Sequence, residues 1–235
     1  MTADFAGLAP DLLAASCTAV VKTYRTVDEE VAALRGIDKD FPTGRVTVIV
    51  GPSGSGKSSL LRILACVDRP TEGFVRIGGA DVSELGTRER RRIRRRSVGY
   101  IFQDPIDNLV EYLTVEEQLR LAARLRGTRV DDEEITRVLD LLRIGSRADH
   151  RPGQLSGGEQ QRVAVACAVM GAPAVVVADE PTAELDTASA DRVLEAMHDL
   201  RADGVAFVVA SHDPRVMAAA DHLLRLEHGQ VVESW

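Results

Sequence analysis

Gly51-Pro52-Ser53-Gly54-Ser55-Gly56-Lys57-Ser58 spells G-x-x-x-x-G-K-S, and no other stretch restricts the fold as tightly. Such a turn needs a buried strand before it and a helix after it. Arg45–Val50 (RVTVIV) is a short β-branched run that reads as the strand, and Ser59–Cys66 (SLLRILAC) reads as the first turns of the helix. The turn then aims several backbone N–H groups at one point, where the helix dipole adds about half a positive charge. Phosphate suits that point. Lys57 would reach the β- and γ-phosphates of a nucleoside triphosphate, and the Ser58 hydroxyl would ligate Mg²⁺. Gly51 through Ser58, with Ser59 next in line, is the expected nucleotide cradle. A chance glycine-rich turn is the alternative, and the flanking strand and helix argue against it.

The rest of the composition suits an α/β enzyme. At 235 residues and 45% hydrophobic, the chain can bury one large core, or one core with a small subdomain. Its formal charge of −7 disfavours general affinity for nucleic acid or acidic lipid. Cys17, Cys66 and Cys167 are odd in number and widely spaced in apolar contexts, so neither a disulfide nor a zinc pattern is present and a reducing cytosol is expected. Met1–Ser16 carries Asp4 and Asp11 without a basic region, which is not the pattern of a secretory signal. Val163–Ala178 lacks charge but falls short of the roughly 20 residues that cross a bilayer. Gly171 and Pro173 also break it, so it reads as a buried helix end followed by the strand Ala174–Ala178.

Further strands are expected at Ala19–Lys22, Val98–Phe102, Val205–Ala210 and Leu223–Leu226. Helical periodicity marks Val115–Leu125, Asp132–Leu142, Glu159–Met170, Thr187–Arg201 and Pro214–Ala219. Apolar strands alternating with helices imply a parallel sheet covered on both faces. The stretch from about Val115 to Ile144 interrupts that rhythm and reads as an inserted helical unit. At Ala174–Glu180 an apolar run delivers Asp179 to a strand end with Glu180 directly after it. In phosphate-loop ATPases such an Asp holds the Mg²⁺ shell, and an adjacent carboxylate polarises the attacking water. A plain Asp-Glu-Pro turn is the alternative.

Leu155-Ser156-Gly157-Gly158-Glu159-Gln160-Gln161-Arg162 puts small and polar residues ahead of a helix, with amides and a hydroxyl free for another anion. This segment resembles the LSGGQ-type signature of ABC ATPases, and further elements of that family stand in order. Tyr24 sits where the family has an aromatic that stacks on adenine. Gln103 matches the Q-loop, Ala183-Glu184-Leu185-Asp186 the D-loop, and His212 within Ser211-His212-Asp213 the switch histidine. The resemblance runs from Ala19 to Ser234. It is strongest to the lipoprotein-release and macrolide-export (LolD/MacB-like) branch, with the cell-division ATPase a near relative.

What the resemblance implies is an α/β phosphate-loop NTPase. It would be an ABC cassette with a RecA-like core, a small antiparallel β subdomain and a helical subdomain at about 104–160. One cassette would fill residues 17–235 behind an N-terminal extension of residues 1–16. Two cassettes, either two copies or a copy and a homologous subunit, would pair head to tail around two ATP. Leu155–Glu159 of one would face the phosphate loop of the other, and Asp186 would belong to the D-loop. Glu180 would be the general base, His212 would hold the γ-phosphate and water, and Lys57 would complete the catalytic set. Ser58, Gln103 and Asp179 would serve Mg²⁺. A separately encoded membrane permease would be the partner, with the chain peripheral on the cytoplasmic face of the cell membrane and no nucleic acid bound. A soluble cassette of DNA repair or translation, or a low-turnover regulatory subunit, is the competing class. Cys167 departs from the family by standing where the signature helix usually has Arg, which puts a common salt bridge in doubt. Glu184 adds charge to the D-loop. The arginine run Arg88–Arg96 reads first as a solvated helix, and next as a contact for anionic lipid or a permease.

Overall fold

The computed structural model describes residues 13–25 and 30–235. Strands β1 (Leu13–Arg25) and β2 (Glu30–Pro42) open the chain. β3 (Val46–Val50) leads into helix α1 (Lys57–Leu64), and β4 (Glu72–Ile77), β5 (Ala80–Asp81), α2 (Thr87–Ser97) and β6 (Val98–Ile101) follow. Next come α3 (Val115–Arg126), α4 (Asp132–Leu141) and α5 (Gly157–Val169). The chain ends with β7 (Val175–Asp179), α6 (Thr187–Ala202), β8 (Ala206–Ala210), α7 (Pro214–Ala218), β9 (His222–Glu227) and β10 (Gln230–Ser234).

Two sheets form. Strands β2-β1-β4-β5 make an antiparallel sheet, and β10-β9-β3-β8-β7-β6 make a six-stranded sheet. The second is parallel from β9 through β6, with β10 antiparallel at one edge. Its central strands β3, β8 and β7 are buried on both faces, as a covered parallel sheet requires. Val175 and Val177 of β7 pack with Leu60, Leu61 and Leu64 of α1 and with Val20, Ile37 and Phe41 of the antiparallel sheet. Val176 and Ala178 face the opposite way, onto Val163, Ala166, Val193 and Met197 of α5 and α6. Helix α1, carrying the glycine-rich turn, is thereby clamped between the two sheets.

Several boundaries differ from the sequence reading. Leu13–Ser16, expected in an N-terminal extension, belong to β1. The whole of β2 went unread because its buried positions, Leu34, Ile37 and Phe41, do not alternate. Register shifts along the β1–β2 ladder and Gly36 at φ 84° break the period of two. The acidic Asp28-Glu29 pair lies outside the described residues. Among the described residues no helix is long and apolar enough to cross a membrane.

Candidate nucleotide site

The turn between β3 and α1 is built where only glycine fits. A Cβ on Gly51 (φ 148°) would stand 2.1 Å from the Leu226 carbonyl oxygen, and one on Gly56 (φ 106°) 2.6 Å from that of Ala33. Gly56 caps α1, whose first turn holds no acid to compete for an anion. The Ser55 hydroxyl is buried inside the loop and has no hydrogen-bond partner among the described residues. An orphaned donor beneath a glycine cradle at a helix N-terminus fits a phosphate group. Lys57 folds over the loop and donates from Nζ to the carbonyls of Gly51 (2.7 Å) and Pro52 (3.0 Å), which centres its ammonium on the cradle. Pro52, Ser53 and Gly54 are exposed.

β7 lies beside β8, which pairs in turn with β3, so the end of β7 meets the start of α1. Ser58 Oγ donates to Asp179 Oδ2 at 3.3 Å. A hydroxyl and a carboxylate at one point form a hard-oxygen donor set, and Mg²⁺ is usually held by one or two such groups together with substrate phosphates. Burial raises the Asp179 pKa, with the Ser58 hydrogen bond opposing and Glu180 reinforcing that shift. Gln103 is not drawn into this pair. It is exposed, makes no hydrogen bond among the described residues, and lines a cavity with Gly157, Gln161 and Glu184.

Glu180 follows at φ 46°, in left-handed backbone, its N–H donating to the Ala210 carbonyl at 2.9 Å. Its carboxylate is bracketed. Ser211 Oγ donates to Oε2 at 3.0 Å, and His212 Nδ1 lies 2.8 Å from Oε1. The His212 ring is otherwise largely exposed, and its hydrogen bond to Glu180 raises its pKa.

Tyr24 stands on β1 with its hydroxyl donating to Asp68 Oδ2 at 2.9 Å, and Lys22 Nζ lies 4.8 Å from its ring centre. Arg62 of α1 grips the same Asp68 at 2.9 and 3.2 Å, so the Tyr24 ring is tethered to the helix that follows the cradle.

The signature segment differs from its sequence reading at one atom. The Ser156 hydroxyl, expected free, donates to Glu159 Oε2 at 3.0 Å and caps α5 by accepting from Glu159 N–H at 3.3 Å. The Glu at the third helical position closes a capping box from within the chain. Arg147 holds its other oxygen at 2.7 Å, and these bonds pull the Glu159 pKa down to about 2. Leu155 is buried. At Gly158 a Cβ would strike Ser189 Oγ at 2.5 Å, whereas Gly157 faces open space. Asp186 caps α6 by accepting from Ser189 N–H at 3.0 Å. No hydrogen bond of the phosphate loop reaches Leu155–Glu159 among the described residues.

The comparisons with known proteins agree with this geometry. A family model described as ABC transporter matches residues 34–183. This chain is an ABC transporter ATP-binding domain. An uncharacterised ABC transporter ATP-binding protein of Thermotoga maritima is 39% identical over 90% of this chain and 91% of its own length. The macrolide export ATP-binding/permease protein MacB of Brucella melitensis is 39% identical over 91% of this chain, which spans only 33% of that protein. An ATP-binding cassette solved as a dimer in a post-hydrolysis state with ADP and Pi superposes with a TM-score of 0.80 at 33% identity. That match covers 94% of this chain and 97% of the other. The α/β cassette fold and the branch resemblance both stand.

Within the cassette, sequence reading passed over Ser211 as a brace for Glu180 and Asp68 as an anchor for Tyr24. Ser211 was in view only as a neighbour of His212. Asp68 lies between Val67 and Arg69 with no motif to mark it. Arg126 was also missed. Its guanidinium, from α3, donates to the carbonyls of Ala168 (2.6 Å), Met170 (2.6 Å) and Val98 (2.7 Å). A cation from another element thus serves the C-terminus of α5, the helix on which Cys167 replaces the family's Arg.

Proposed function

We propose that this chain binds ATP with Mg²⁺ at the phosphate loop, hydrolyses it, and through that cycle drives a membrane permease. The observation that carries the reading is the end of β7. Ser58 and Asp179 converge there, and the next residue, Glu180, presents a carboxylate braced from two sides. The loop amides, Lys57 and the Ser55 hydroxyl would hold the phosphates, and Ser58 with Asp179 would hold the metal, which when bound offsets the charge of the phosphate oxygens. Glu180 would accept the proton of the attacking water through the oxygen that His212 now engages. The His212 imidazole would orient that water and the terminal phosphate. Tyr24, tethered through Asp68, would stack on the base.

Support for a partner comes from the surface beside Gln103. Phe102, Ile106 and Tyr112 follow one another closely in sequence and are all exposed, Tyr112 to 74%, and exposed large apolar groups in one segment suit an interaction site. The MacB relatives carry a permease in the same polypeptide by name. A permease resting on Phe102–Tyr112 would place the cassette against the cytoplasmic face of the membrane. Nothing favours the DNA-repair class: between α1 and α5 the helices are short, without the long coiled coil of such ATPases.

The test is Glu180→Gln. It should bind ATP with unchanged affinity in equilibrium titration and lose at least about 100-fold in turnover. Turnover within a few fold of wild type would remove Glu180 from the role of base.

A further inference from the structure

Helix α2, TRERRRIRRRS, contains seven arginines against one glutamate and carries +6 in a chain whose formal net charge is −7. The structure divides these arginines into two sets. Arg90 and Arg94 turn inward with Ile93, and their Nη1 atoms approach the carbonyls of Val67 (3.4 Å) and Cys66 (3.5 Å) beyond the end of α1. Arg88, Arg91, Arg92, Arg95 and Arg96 are all exposed. Their spacing of i, i+3, i+4, i+7, i+8 lays them along one face of the helix.

Among the described residues none of these five guanidinium groups is in an ion pair or a hydrogen bond. The helix's one acid, Glu89, is committed to capping, its Oε2 accepting from Gly86 N–H at 3.2 Å. Like charges at i+3 and i+4 oppose helix formation, so the stripe repels itself unless an anion covers it.

We propose that this stripe is a docking surface for the phosphate headgroups of an anionic membrane. The proposal rests on the reading that the cassette works beside a permease. Five planar, permanently charged forks match phosphate bidentately. They lie along about 12 Å of helix, a row of separate forks that fits an array of separate headgroups. The stripe includes no aromatic residue, which argues against single-stranded nucleic acid, whose binding relies on base stacking.

The test is co-sedimentation of the full chain with phosphatidylcholine vesicles and with vesicles containing about 30% phosphatidylglycerol. Wild type should partition onto the anionic vesicles and not the neutral ones, and lose that binding as salt rises. Each exposed arginine near the surface contributes about fivefold to partitioning, so Arg91→Ala/Arg92→Ala/Arg95→Ala should weaken it about 100-fold. Their guanidinium groups make no ion pair or hydrogen bond among the described residues, so the melting temperature and ATP titration of the variant should match wild type. Equal partitioning onto both vesicles, or no loss in the triple variant, would overturn the proposal. So would a short duplex or single-stranded oligonucleotide that displaces the chain from the vesicles. A permease that co-purifies with a chain blind to anionic vesicles would leave the transport reading standing and remove this surface from it.

Discussion

Glu180 is held in one uncommon backbone conformation. A non-glycine residue at φ 46° is strained by about 1–2 kcal/mol, and the surroundings hold it there through the Ala210 carbonyl and the brackets of Ser211 and His212. Asp179 meets Ser58 while Glu180 meets Ser211 and His212, so the two adjacent acids have separate partners. The His212–Glu180 contact sets a titration. Protonated His212 donates to a carboxylate, so its pKa lies above the ordinary 6.5. The sign follows: the pairing is fully present below the unfolded pKa and fades as pH rises through the higher folded value. An NMR titration of the His212 ring should give a midpoint above 6.5 in wild type, moving back toward 6.5 in Glu180→Gln. An unchanged midpoint in the variant would show that Glu180 does not hold the imidazole. At this scale the sequence displayed Lys57, Ser58, Asp179, Glu180 and His212 because motifs fix their spacing. It hid Ser211's bond and Asp68's grip on Tyr24, which depend on segments far apart in the chain meeting in the fold. The Ser156 hydroxyl, read as free, is engaged by Glu159, a capping bond that the S-x-x-E spacing already signals.

Elements were legible in proportion to how regular their burial is. β3, β7 and β8 are buried on both faces and announce themselves as apolar runs. β2 and β10 lie at the edges of their sheets, bury few residues and went unread. Helix α5 shows another limit. Cys167 suggested a missing charge, yet the cation arrives from α3, a relation that no local pattern encodes. Burial brings the Arg126 pKa down to about 10, still charged at neutral pH, and lifts the Cys167 thiol to about 12. The arrangement therefore acts as carbonyl capping, with no thiolate to form an ion pair. Arg126→Met keeps the apolar stem but strips donors from three carbonyls of α5 and β6. Leaving them unpaired should destabilise by about 3 kcal/mol, or about 6–12 °C in melting temperature for a chain of this size. Thermal melts followed by circular dichroism measure this, and a loss under about 2 °C would mean that water replaces the guanidinium.

The phosphate loop and the signature segment both reach the surface of the molecule without joining. Pro52, Ser53 and Gly54 stand exposed on one part, and Ser156 and Gly157 on another, with no hydrogen bond between the two. The glycines of the signature are unequal. Gly158 is required inside the chain, because a side chain there would collide with Ser189, whereas a Cβ on Gly157 meets nothing within 4 Å. Gly157 is also at negative φ, so a larger residue fits its backbone without strain. A single cassette gives no reason for glycine at that position, and close approach of a second chain does. This separates folding from pairing experimentally. In the Glu180→Gln background, ATP should double the mass seen by light scattering after size exclusion, since product-driven separation is blocked. Adding Gly157→Val should leave the melting temperature and ATP affinity of the monomer unchanged and abolish the ATP-dependent dimer. If the valine variant still dimerised on ATP, the pair would form through another face, and the head-to-tail arrangement would be wrong for this chain even with every residue of its own nucleotide site correctly placed.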